Sequence, residues 1–99
     1  MTIKRWSAKR DANEPEIVST LEAMGCKVER QDGGGGRPDL KITFPWDKTA
    51  LVEVKMPGAK LNVKQKEYHA ASAEPIHIVR NAREAINLFI WRQGIDVTP

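Results

Sequence analysis

Seven consecutive residues, Ala50-Leu51-Val52-Glu53-Val54-Lys55-Met56, constrain this chain more than any other stretch. The run is apolar on both faces of an extended strand, as a strand covered from two sides is. Two charged side chains interrupt it. Glu53 and Lys55 are two apart, so they share a face, ~7 Å from each other along it, while Val52 and Val54 take the opposite face. A carboxylate and an ammonium on a buried strand are costly unless they have partners or chemical work. The bland alternative is a solvated strand face carrying a cross-strand ion pair.

A second stretch, Arg37-Pro38-Asp39-Leu40-Lys41-Ile42, supplies a possible partner. From Leu40 to Phe44 apolar residues alternate. Leu40, Ile42 and Phe44 therefore face one side, and Asp39, Lys41 and Thr43 the other. Placed beside the first strand, this one brings Asp39 next to Glu53 and Lys55. Two carboxylates hold a hard divalent cation through oxygen. A lysine beside them can stabilise developing negative charge or orient a water. Alternatively, Asp39 is a turn residue that satisfies nearby backbone after Pro38.

The other segments have ordinary signals. Asn13 and Glu16 read as a capping box opening a helix from Glu14 to Met24, with Ile17, Leu21 and Met24 on one face, Val18 beside them, and Gly25 ending it. Lys27 to Arg30 is a short edge strand. Asp32 and the glycines 33–36 form a flexible loop, and Pro45 to Thr49 a turn. Asn62 caps a second helix from Val63 to about Ala73. Ile76 to Val79 is a short strand. Asn81 and Glu84 open a third helix running to Trp91, with Ala82, Ala85, Ile86, Phe89 and Ile90 as its buried face. The order is α-β-β-β-α-β-α. A strand, a helical crossover and another strand make a parallel pair, which joined to an antiparallel hairpin gives a small mixed sheet flanked by helices.

Composition bounds the answer without choosing it. The 99 residues make one domain, with a core of about residues 11–91 and tails at 1–10 and 94–99. A net charge of +3 suits an anionic partner but does not require one. The lone Cys26 rules out an intramolecular disulfide and a cysteine-based zinc site, and fits a reducing cytoplasm. No stretch approaches the ~20 apolar residues of a membrane span. Glycines 33–36 lack the Gly-Lys-Ser/Thr of a nucleotide P-loop. Trp6, Trp46 and Trp91 are too scattered to form a stacking platform for bases. His69 and His77 read as ordinary helix and strand residues.

Pro38-Asp39 followed by Glu53-Val54-Lys55, with Asp11 to Val18 before them and Leu61 to His69 after, resembles the PD-(D/E)xK nuclease superfamily, and in particular its small stand-alone phage-type VRR-NUC members. The resemblance implies a restriction-endonuclease-like core and a metal-dependent DNA endonuclease. It implies that Asp39 and Glu53 ligate Mg²⁺ or Mn²⁺, with Glu16 from the first helix as a third ligand and Glu14 or Asp11 as the substitutes. Glu16 serves equally well as the second half of the capping box. Lys55 would act on the attacking water or the phosphate, and Gln65 would orient groups around it. Lys60, Lys64 and Lys66, with Gly35 and Gly36 of the loop, are the candidate DNA contacts; otherwise they are a solvated face and a flexible connection. Relatives imply branched or flap DNA as substrate, a homodimer, and a cytoplasmic setting in phage or bacterial host. The rival readings are a DNA-binding module without chemistry and a phage protein-interaction domain on the same fold.

Overall fold

The computed structural model describes residues 11–32 and 34–97. Among them the chain runs α1 (Glu14–Ala23), β1 (Lys27–Arg30), β2 (Leu40–Thr43), β3 (Thr49–Val54), α2 (Val63–Ala71), β4 (Ile76–Val79) and α3 (Ala82–Val97). The strands lie side by side in the order β1-β2-β3-β4. The first two pairings are antiparallel and β3–β4 is parallel. That mixture follows from the connections. The β2–β3 link is a turn, whereas the chain between β3 and β4 carries α2 and returns in the same direction.

One face of the sheet is the core. Register sets Leu40 against Val52 and Ile42 against Ala50, so the alternating apolar residues of both strands point the same way. Together with Phe44, Val54 and Val79 they are covered by Ile17, Val18 and Leu21 of α1 and by Ala85 and Leu88 of α3. Each large aliphatic side chain buried here contributes about 1.5–3 kcal/mol. The opposite face carries Lys41, Leu51 and Glu53.

Three expectations are corrected. First, Asn13 does not form a capping box with Glu16. Its backbone is helical and its side chain makes no cap hydrogen bond. Instead its amide nitrogen donates to the carbonyls of Lys55, at 3.0 Å, and Arg80, at 2.7 Å. Two free carbonyls at neighbouring strand ends compete successfully for the amide that a cap would use. The helix end at Gly25 holds, with φ +95° there and the Cys26 N–H bonded to the Leu21 carbonyl.

Second, α3 does not stop at Trp91, and residues 94–97 are helical rather than tail. Asp96 anchors the extra turns. It accepts from the Trp46 indole at 2.8 Å and pairs with Arg92 at 3.0 Å. Third, the inner face of α3 is rotated from the expected stripe. Ala85 and Leu88 are buried and Phe89 packs on the core, while Ile86 and Ile90 are exposed. The rotation is set by an aromatic cluster. Trp46 stacks on Phe44 at 4.8 Å, Phe89 meets both rings edge-on, and Arg92 lies over Phe44. Trp46 therefore packs against the core, and Trp91 packs against His77. Trp6 and the 1–10 tail lie outside the described residues.

Candidate active site

The β2–β3 register, extended by one step beyond Leu40 and Val52, sets Asp39 opposite Glu53. Asp39 is fixed on both sides. Its Oδ2 accepts the Val54 N–H at 2.8 Å, and its carbonyl accepts the Gln31 N–H at 2.7 Å. The preceding Pro38 is buried and has no N–H to satisfy. Glu53 is only 2% exposed. Its Oε2 accepts from Gln65 Nε2 at 2.9 Å, while its Oε1 is buried without a hydrogen-bond partner.

Burial pushes the Glu53 carboxyl up to about 8, and the charge and hydrogen bonding of Asp39 push the same way. Lys55 opposes the rise and Asp11 adds to it. The charge of Lys55 thus reaches Glu53, as their shared strand face requires. Lys55 is half-buried, and its own N–H donates to the Val79 carbonyl at 3.2 Å.

The second helix covers Glu53. Asn62 and Gln65 form a reciprocal capping box, with the Asn62 side chain accepting the Gln65 N–H and Gln65 Oε1 accepting the Asn62 N–H. The remaining end of the same amide, Nε2, holds Glu53. One turn later, His69 Nε2 lies 3.9 Å from Glu53 Oε1. Burial, with the charge of Lys55, lowers the His69 pKa below its ordinary value.

The structure does not bring Glu16 to this pair. Glu16 is exposed on α1, whereas Glu14 is 1% exposed and accepts from Arg30 Nε at 3.0 Å. The inward face of α1 is set by Glu14, Ile17, Val18 and Leu21 at helical spacing, and Glu16 falls off it. Among the described residues no three His, Cys, Asp or Glu side chains close on one point. The loop differs from a free connection. Gly34–Gly36 form a single tight turn, and Gly36 is buried where a Cβ would overlap the Lys64 carbonyl of α2. Gly35 is exposed; Gly33 lies outside the described residues. Lys60, Lys64 and Lys66 are all exposed.

Half-buried Asn13 and His69 and buried Glu14 are the residues whose placement the sequence left open or misassigned. For Glu14 a local signal existed, because it shares a helix face with Ile17, Val18 and Leu21. For Asn13 none did, since its partners are 42 and 67 residues away.

Two oxygen donors that repel each other, one with a buried orphan atom, fit a hard divalent cation. The family model of the VRR-NUC domain matches residues 2–74. A solved structure described as a VRR_NUC domain matches over 78% of this chain and 89% of its own, with 22% sequence identity and a TM-score of 0.60. No curated protein matches.

Proposed function

The chain belongs to the VRR-NUC domain family, within the PD-(D/E)xK nucleases, and from that membership and the Asp39–Glu53 pair we propose that it is a divalent-metal-dependent endonuclease acting on DNA. A nuclease-type DNA-processing domain is what the family implies. The observation that carries the finer reading is the buried, unpartnered Oε1 of Glu53 directly across the hairpin from Asp39.

Asp39 and Glu53 would hold Mg²⁺ or Mn²⁺. Such an ion supplies a Lewis acid and lowers the pKa of a bound water. The Val54 N–H keeps Asp39 from turning away, and Gln65 keeps Glu53 against the sheet. Lys55, on the face of Glu53, offsets charge on the phosphate as the bond breaks. The exposed Lys60, Lys64 and Lys66 would bind the backbone of DNA, with Gly35 giving close approach.

The test is cleavage of plasmid, flap and branched DNA in Mn²⁺, Mg²⁺ and chelator. Asp39→Ala and Lys55→Ala should each abolish cutting in a folded protein. Equal cutting by wild type and Asp39→Ala would refute the site. DNA binding without cutting would leave the inactive binding module. With Ca²⁺ in place of Mg²⁺, loss of each lysine contact should flatten the log–log salt dependence of affinity by roughly 0.9.

Branched or flap DNA is the proposed substrate, and a homodimer the proposed form. β4 is an edge strand, and Ile78, Trp91 and Ile95 beside it are exposed apolar surface that a second copy would cover. Sedimentation of wild type and Ile78→Lys tests this, since a charge there should favour the monomer. No helix among the described residues is long and apolar enough to cross a membrane. A reducing cytoplasm is the proposed setting for the free, buried Cys26.

A further inference from the structure

Two buried polar atoms lie near each other beside the acidic pair without a hydrogen bond between them. Glu53 Oε1 and His69 Nε2 both lack a hydrogen-bond partner, and they are 3.9 Å apart. That separation is too long for a hydrogen bond. Buried polar groups are otherwise almost always paired, so two adjacent orphans mark a contact built for a state with a slightly different geometry. The helix that carries the imidazole is held in place. His69 sits on α2 one turn after Gln65, whose amide is itself locked by the Asn62 capping box and bonded to the other Glu53 oxygen. The imidazole side chain is 16% exposed and the Glu53 side chain 2%.

We propose that His69 is a positioning residue for the metal site: its Nε2 grips Glu53 Oε1 while Gln65 grips Oε2, so that one helix fixes the plane of the carboxylate that binds the ion. The inference rests on the nuclease reading. Approach by ~1 Å brings the pair within hydrogen-bond range, and a small rotation of the Glu53 carboxylate on binding an ion would supply motion of that size. Gripped at both oxygens, Glu53 keeps a lone pair on each for the ion, because a carboxylate accepts more than one contact per oxygen. A single grip by Gln65 would leave the carboxylate free to pivot about Oε2. A ligand's supporting partners orient it, and their loss typically costs about 10–100-fold in metal affinity.

The experiment is Mn²⁺ and Mg²⁺ binding to the full chain by calorimetry, for wild type, His69→Ala, His69→Gln and His69→Asn, with cleavage rates and melting curves in chelator alongside. His69→Ala should bind both ions about 10-fold more weakly and lower kcat with little change in KM. His69→Gln places an N–H near the position of Nε2 and should recover most of the affinity. His69→Asn is one bond shorter and should not. A purely structural role would lower the melting temperature without this pattern of rescue.

Wild-type affinity in folded His69→Ala overturns the proposal. So does loss of Mn²⁺ affinity with Mg²⁺ affinity intact and no rescue by Gln, which would make the imidazole a ligand instead. If His69→Ala fails to fold, His69→Gln against His69→Asn decides, and equal affinities for those two overturn the proposal. Absence of any metal binding by wild type overturns the nuclease reading, and this inference falls with it.

Discussion

The side-chain amide of Gln65 donates from Nε2 to Oε2 of Glu53 across 2.9 Å. The same amide closes the N-terminus of α2 through its Oε1, which accepts the Asn62 N–H at 3.0 Å. One residue thereby starts a helix and holds an acid of the site. The helix cannot begin elsewhere without releasing Glu53.

Gln65→Glu separates those two duties. A glutamate at this position caps a helix as well as a glutamine does, so α2 should persist. The donor to Glu53 is lost, and a third carboxylate takes its place. We expect a metal-free stability lower by about 1–3 kcal/mol, the range for a buried group left unsatisfied, and a larger stabilisation on adding Mn²⁺. Thermal melts in chelator and in Mn²⁺ give both quantities. A chelated Gln65→Glu protein that melts with wild type would show that the amide is not what holds Glu53.

The raised carboxyl of Glu53 makes a pH prediction. Its folded value is about 8 against an ordinary 4.5, so the folded protein keeps a proton that the unfolded chain has released. Stability from this group is complete below 4.5 and is lost as pH rises towards 8. His69 and His77 are both lowered from 6.5, and their effect has the opposite sign but ends above that value. Between pH 6.5 and 8 Glu53 therefore acts alone among these groups. Metal-free stability should fall there by up to ~1.4 kcal/mol per pH unit. At the proposed metal site a divalent ion would replace the proton, so the fall should vanish in saturating Mn²⁺ and metal affinity should rise with pH. Urea melts across the window, with chelator or Mn²⁺, measure this. A rise in metal-free stability over that range would contradict it.

Much of this architecture is legible in period-two and helical patterns. The strand Ala50 to Met56 reads as central because both faces are apolar, and β3 does lie between β2 and β4. Asp39 and Glu53 are each visible as acids that need a reason, and the hairpin register makes them neighbours. The failures share one cause. Asn13 and Glu16 satisfy every local requirement of a capping box, yet Asn13 is captured by carbonyls that only the folded sheet brings near. The face of α3 is equally ambiguous locally, because apolar residues surround that helix. Its rotation is chosen by Phe44 and Trp46 from a distant turn. Long-range partners leave no trace in spacing.

Asn13 offers a direct test of that competition. At a helix cap, aspartate replaces asparagine with almost no loss. As a donor to the Lys55 and Arg80 carbonyls, it cannot be replaced so. Asn13→Asp should therefore destabilise the protein more than Asn13→Ala, which itself should cost about 1–3 kcal/mol. Chemical denaturation of the two variants ranks them. Wild-type stability in Asn13→Asp would restore the cap.

Glu14, Glu16 and Asp11 are the acids that the proposed metal site could recruit as a third contact, and their surroundings predict different outcomes. Glu16 is exposed, so Glu16→Gln should shift stability by no more than about 0.5 kcal/mol and leave cleavage near wild type. Glu14 is buried, and its carboxylate accepts from an Arg30 that is half exposed. Glu14→Gln keeps the shape but weakens a charge-assisted bond, and should cost about 1–2 kcal/mol in stability. Asp11 is felt at Glu53 through its charge, so Asp11→Asn should lower the Glu53 pKa and narrow the pH window of the metal-free melt. Single-turnover cleavage of all three variants, at a temperature where each is folded, identifies the acid that matters for chemistry. A loss of 100-fold or more corresponds to about 2.7 kcal/mol of transition-state stabilisation, beyond what a distant charge supplies. We expect that loss for Glu14→Gln or Asp11→Asn. If it falls on Glu16→Gln alone, α1 must turn by most of a half-rotation when metal and DNA bind, and the inward face described for that helix would belong only to the metal-free protein.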